Sequence, residues 1–274
     1  MKTLTLSIGL SLTIGTLPAS ALTVRLYQPD LTLTPDTSIA DAGPWLNFGR
    51  SGVNATQTSQ GISGTLLNTT NNNALAAGYS NYNASTPPPF PAVPTTFINP
   101  AFPTLDRVAG YTLSFNVAIL SETSASNNRA GFSVIVLSND AQGIEIGFSP
   151  SGNAIFAQNF DFTRGEFVSA NLSTLTHATD YELAILGSNY TLSTGGSSIL
   201  SGNLRSYNAV AIFNPYQTAN FIFLGDDTSQ AQANINLGAV SITTVPFEFS
   251  PALGLGLIGA WGIARKLKSK SLKK

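Results

Sequence analysis

From Arg107 to Thr244 no segment of useful length repeats its apolar residues at a helical period, and this limits the folds open to the chain. Short runs that alternate apolar and polar residues take its place, with turn residues between them. In GYTLSFNVAIL, Leu113, Phe115, Val117 and Ile119 fall on every second position, the period of a strand with one buried face. AGFSVIVLSND follows as a second strand. GIEIGFSPSGNAIFAQN reads as a hairpin: Ile144, Ile146 and Phe148 alternate up to a Ser-Pro-Ser-Gly turn, and Ile155 opens the return strand. DYELAILGSNYTLSTGGSSILSG holds three strands separated by Gly-Ser-Asn and Gly-Gly turns. ANFIFLGDDTSQAQANINLGAVSITT closes with two strands around a polar loop. The pattern predicts an all-β fold, an antiparallel sandwich of jelly-roll type with its main body over 107–244.

Residues 22–106 are patterned more weakly. The segment STPPPFPAVPTTFINPAFPTLD holds seven of the 15 prolines. Proline fixes φ and removes a hydrogen-bond donor, so this segment is not a central strand. It is either a linker between two modules or, as favoured here, a long loop on one sandwich. LTVRLYQ, PWLNFG and GISGTLLN are strand candidates, too few to bury a core alone. Residues 22–106 are therefore expected to be part of the sandwich or appended to it.

The two ends read as addresses. Residues 1–21 carry one lysine, a modest apolar stretch and then Ala19-Ser20-Ala21, the small-x-small pattern of a secretory signal cut after Ala21. At the other end, over 245–274, an apolar stretch from Ala252 to Ala264 leads into Arg265 and a lysine cluster, with Trp261 near the basic side. A hydrophobic anchor helix, held by the positive-inside preference with the body outside the membrane, is the expectation. Six of the 13 basic residues lie in the last ten positions.

This tail resembles the PEP-CTERM class of bacterial sorting signals, which combine a Pro-Glu-Pro motif, an apolar segment and a basic cluster. Here Val245, Pro246 and Glu248 match the motif; Phe247 is inserted, and Phe249 stands in place of the second proline. The resemblance implies an exported bacterial surface protein, of the kind found in cyanobacteria, with the membrane and an exosortase-like processing enzyme as partners.

Charge narrows the choice of partner. Charged residues make up 10% of the chain, against about 25% in soluble domains. Without Lys2, Glu248 and the six terminal bases, 13 acids face 6 bases, a charge of −7. That argues against nucleic acid. There is no cysteine, hence neither a disulfide framework nor thiolate chemistry.

The strand order also resembles the concanavalin A-like jelly roll, including laminin G-like modules. The resemblance is carried by Tyr190-Thr191-Leu192 through Gly195, by Ile199 to Gly202, and by Phe223-Leu224-Gly225-Asp226-Asp227 before the last strand, from Ala239 to Ile242. Glycosidases of this fold place carboxylates along one strand, as in Glu-x-Asp-x-x-Glu. Glu145 has no acidic neighbour in sequence, and Asp180 with Glu182 lacks a third acid. The single histidine, His177, has no G-x-S-x-G serine elbow to serve and no co-ligands for zinc. Asp226 and Asp227, with Thr228 and Asn234 nearby, are either turn chemistry or a calcium site. Trp45 is either a core indole or a stacking surface for a sugar. Five Asn-x-Ser/Thr sites, at Asn54, Asn68, Asn83, Asn171 and Asn189, follow from composition. The resulting expectation is a non-catalytic, lectin-like protein of the cell surface that binds extracellular polysaccharide. The alternatives are a glycan hydrolase of the same fold and a purely structural surface component.

Overall fold

Two strands of 14 residues, β6 (Tyr111–Ser124) and β16 (Ala231–Thr244), lie antiparallel along nearly their whole length. They form the spine of the first sheet in this computed structural model, which describes residues 21–49, 54–70, 76–83, 96–207 and 214–244. On the far side of β6 come β11 (Thr179–Leu186), β12 (Asn189–Thr194) and β13 (Ser197–Asn203). On the far side of β16 two strands share one edge. β1 (Leu22–Tyr27) pairs with residues 240–244, and β4 (Thr65–Asn68) pairs with residues 234–237 and then with β3 (Thr56–Ser59).

The second sheet runs β10 (Arg164–Ser169), β9 (Ala154–Gln158), β8 (Gln142–Ser149), β7 (Phe132–Leu137), β15 (Phe221–Asp226), β5 (Ala77–Ser80) and β2 (Leu46–Gly49). The two-residue β14 (Arg205–Ser206) pairs with the start of β8. All the pairings are antiparallel. Strands from the 22–80 region thus sit in both sheets, and residues 21–245 form one compact unit.

Local chemistry accounts for the turns. Gly195 and Gly196, at φ +55° and +75°, join β12 to β13, a backbone that side chains resist and glycine adopts freely. In the short helix α1 (Leu172–Leu175) the Asn171 side chain accepts from the Thr174 N–H at 3.1 Å, an N-cap.

The inner faces of the sheets meet in one large core. Leu113, Phe115 and Val117 of β6 come together there with Ile144, Ile146 and Phe148 of β8. Phe115 meets Phe148 edge-on with centroids 5.9 Å apart, and Phe148 meets Tyr181 at 5.1 Å. Each such buried side chain contributes about 1.5–3 kcal/mol. The first sheet leaves its other side to solvent, which is why β6 and β16 alternate so cleanly. The second sheet is buried on both sides along its middle strands, so every residue of β7 and β15 is buried and the apolar run FSVIVL has no polar gap except Ser133, while its edge strands β10 and β2 are more open. Among the described residues no helix is long and apolar enough to cross a membrane. The expected anchor helix and basic tail lie outside the described residues, as do Ala19, Pro246 and Glu248.

Candidate functional site

The outer side of the second sheet is closed by aromatic rings. Phe221 and Phe223 of β15 and Ile135 and Leu137 of β7 project outward, and Tyr82, Tyr207 and Tyr216 pack over them. Phe162, at the β9–β10 turn, joins this cover with its centroid 5.2 Å from Tyr216 and 6.3 Å from Tyr207. The Arg129 guanidinium lies 5.3 Å from the Phe162 ring and bonds to the Phe162 carbonyl. Tyr82 is tied down by donating its hydroxyl to the Ala219 carbonyl at 2.7 Å.

Glu145 of β8 lies beneath these rings and is only 2% exposed. Strand alternation turns it away from Ile144 and Ile146 and toward the cover. Its Oε2 is 2.6 Å from the Tyr216 hydroxyl, and the same hydroxyl is 2.8 Å from Asp227 Oδ2. Ser133 donates its hydroxyl to Oε1 at 3.3 Å. The Glu145 backbone N–H donates to the Tyr207 hydroxyl at 3.1 Å, which in turn donates to the Gln158 carbonyl at 2.8 Å.

A hydroxyl has one proton and can give it to only one of two carboxyls. Burial, reinforced by the charge of Asp227, pushes the Glu145 carboxyl well above the ordinary range, against the opposing pull of the Tyr216 bond and of Arg129. The single Tyr216 hydroxyl bridges the two carboxyl groups. Glu145 therefore does have an acidic partner, one that its sequence neighbourhood conceals.

Asp226 and Asp227, adjacent in sequence, enter different networks. Asp226 Oδ1 accepts from the Thr228 N–H at 3.0 Å, an Asx turn, while the buried Oδ2 has no hydrogen-bond partner. Burial raises the Asp226 pKa to about 9, with the Thr228 N–H acting the other way. Asp227 turns to Tyr216. A calcium ion held by both would need one of them withdrawn from its network and Asp226 stripped of its proton. Among the described residues no group of three or more His, Cys, Asp or Glu is placed to hold a metal.

Trp45 is 3% exposed and donates its indole N–H to the Leu26 carbonyl at 2.8 Å. So placed, the ring offers no face to a sugar. Ala21 is exposed at the start of the described residues. Glu182 and Asp180 stand on the solvent side of β11, opposite Ser114 and Asn116 of β6, and Asn116 donates to Asp180 at 2.7 Å. His177 is an exposed residue whose Nδ1 is 3.3 Å from the Ser173 carbonyl.

The solvent side of the first sheet is lined by small hydroxyls and amides. Strand register sets Thr23, Thr243 and Thr112 side by side on β1, β16 and β6, and Thr191 lies beyond Ala184 in the same row. Thr23 and Thr243 share a hydroxyl hydrogen bond of 2.9 Å. Arg25, Ser241, Ser114, Glu182 and Ser193 form the next row, with Arg25 held by Asp41, and Asn234 and Asn236 follow along β16. At the end of the paired β6 and β16, a groove of about 380 Å³ is lined by Thr123, Ser124, Ala125, Ser229, Gln230, Ala231 and Gln232.

No protein-family model matches the chain, and no curated protein matches it. It is similar to the following solved structures. The carbohydrate esterase vb_24B_21 of the Shiga toxin-encoding bacteriophage phi24B is 11% identical, with a TM-score of 0.47 over 81% of this chain and 99% of that one. The exoplasmic/lumenal domain of VIP36, in its Ca2+/Man2-bound form, is 11% identical, with a TM-score of 0.44 over 84% of this chain and 91% of that one. The carbohydrate-binding module CBM66 of Bacillus subtilis is 9% identical, with a TM-score of 0.37 over 72% of this chain and 94% of that one.

Proposed function

We propose that this protein is an exported, surface-held β-sandwich that binds extracellular polysaccharide without cleaving it. The observation that carries the reading is the solvent side of the first sheet, with its adjoining groove. Uncharged threonine, serine, asparagine and glutamine side chains, which both donate and accept hydrogen bonds, make up most of that surface, with Asp180, Glu182 and Arg25 among them. A neutral sugar presents the same mixture of donors and acceptors, and a surface of this kind can exchange its bound water for sugar hydroxyls at little electrostatic cost. The buried carboxyl pair speaks for binding over hydrolysis. A glycosidase needs two carboxyl groups flanking the scissile bond, whereas Glu145 is sealed under rings with Tyr216 between it and Asp227. Export and surface retention rest on the two terminal segments and on the low charge of the body.

A glycan array on the 21–245 unit, run with calcium and again with chelator, tests this. Binding to a defined class of neutral polysaccharide in both conditions is expected. A folded protein that binds none of them would overturn the reading in favour of a purely structural role, and release of reducing sugar from a bound glycan would overturn it in favour of an enzyme.

A further inference from the structure

Arg164 and Phe167 stand at the edge of the second sheet, on β10. In a regular strand residues three apart point to opposite faces. Here Arg164 is opposite Gln158 and Phe167 is opposite Phe156, so the pair Gly165 and Glu166 faces the single residue Ala157, a β-bulge. The extra residue swings Arg164 onto the Phe167 side. Its guanidinium lies 4.2 Å from the Phe167 ring centroid and 5.5 Å from that of Phe156. Gly165 makes the bulge possible, because a Cβ there would come within 2.8 Å of Asn159 Oδ1 and 2.9 Å of the Ala157 carbonyl.

Arg164 is not neutralised. Each of three other arginines, Arg25, Arg107 and Arg205, has a carboxylate. Arg164 has no acidic partner among the described residues, only a 3.5 Å bond from Nη1 to the Gly152 carbonyl, and its buried Nε is without a partner. The nearby acids are engaged elsewhere: Glu166 with Arg205, and Asp161 with the N–H and hydroxyl of Thr163. A half-buried guanidinium without a counter-charge is costly unless a ligand supplies one. Phe167, beside it, is 58% exposed, a large apolar ring left in water.

We propose that Arg164 and Phe167 bind an acidic sugar, with the guanidinium taking the carboxylate of a uronate and the phenyl ring taking the apolar face of the pyranose. The planar fork of arginine matches a carboxylate bidentately. A flat ring beside it fits one sugar unit, whereas a protein interface would need a larger apolar area. The site rests on the polysaccharide reading and adds charge selectivity to it, at a place separate from the hydroxyl-lined sheet.

The test is titration calorimetry of the full chain with a short oligogalacturonate and with the same oligomer fully methyl-esterified. Binding of the acid form is expected, weakened about tenfold or more by esterification and by Arg164→Gln, consistent with the loss of a bidentate ion pair. Phe167→Ala, a change at an exposed position that leaves the core intact, is expected to weaken it severalfold. Equal affinity for acid and ester, or undiminished affinity in folded Arg164→Gln or in Phe167→Ala, would overturn the proposal. Failure of the folded wild type to bind the acid oligomer, while it still binds neutral glycans, would overturn this site and leave the broader function standing.

Discussion

The Glu145 carboxyl and the Tyr216 hydroxyl meet at 2.6 Å inside a wall of aromatic rings. The contact ties the middle of a β-strand to the chain that covers it, and the cover depends on this polar link as well as on ring packing. Tyr216→Phe keeps the ring and removes the hydroxyl, leaving two carboxyls without their bridge. A loss of about 1–3 kcal/mol is expected, the cost of a buried unsatisfied polar group. Scanning calorimetry at neutral pH checks it through a midpoint lowered by several degrees.

Asp226 gives stability a pH dependence of defined sign. From about pH 4 the unfolded chain gives up this proton, whereas the folded protein keeps it until about 9. Across that window the folded state binds more protons, so stability falls as pH rises. The contribution is fully present below pH 4 and lost by the time the folded group ionises. Glu145, also raised, acts in the same direction. Urea midpoints measured at pH 5 and pH 8.5 should be closer together in Asp226→Asn than in the wild type. Equal separation would mean that Asp226 titrates normally.

Gly78 and Gly225 are directly opposite each other on β5 and β15, with the Phe223 ring laid across them. A Cβ at Gly78 would come within 2.6 Å of the Leu224 carbonyl oxygen and 2.8 Å of the Gly225 Cα, both backbone atoms that cannot swing away. Gly78→Ala should destabilise the fold by about 3 kcal/mol. Gly187→Ala, at a turn with φ +60° and nothing within 4 Å, should cost only about 1 kcal/mol. Chemical denaturation of the two variants side by side measures the difference.

Trp45 reports on the core. With Trp261→Phe as background it is the single indole, and its emission should be blue-shifted and unmoved by a saturating glycan. A ligand-induced shift would mean that sugar binds near the Trp45–Leu26 contact. Trp45→Phe should cost about 1–2 kcal/mol through the stranded Leu26 carbonyl.

How much of this was legible in the sequence depends on how many faces each strand buries. β6 and β11 have one buried face, so their alternation announced both the strand and its orientation; β16 was read only from Ala239 to Ile242, because the amides of AQANIN pass for a polar loop although they are its solvent face. β7 is buried on both faces, so its pattern fixed its existence but not its direction. β10 passed unnoticed, because RGEFVS carries a bulge that breaks the period of two. The rings of the cover lie in loops and turns, where no periodicity marks them. The meeting of Glu145 with Asp227 is a product of topology: β7 lies between β8 and β15 in the sheet, and Tyr216 spans the gap from above. Nothing local to either acid could have signalled it. Arg164 and Phe167 were likewise hidden, because their common orientation exists only through the bulge.

The strand that borders β1, β4 and β6 is also the last among the described residues. β16 pairs Thr244 with Leu22, so the first residues of the sandwich wait for the final ones before they can close. Contacts this distant in sequence make folding slow. A chain leaving the ribosome would hold its first sheet open until β16 had emerged. Until β16 arrives, the edges of β1, β4 and β6 that it covers stay unpaired.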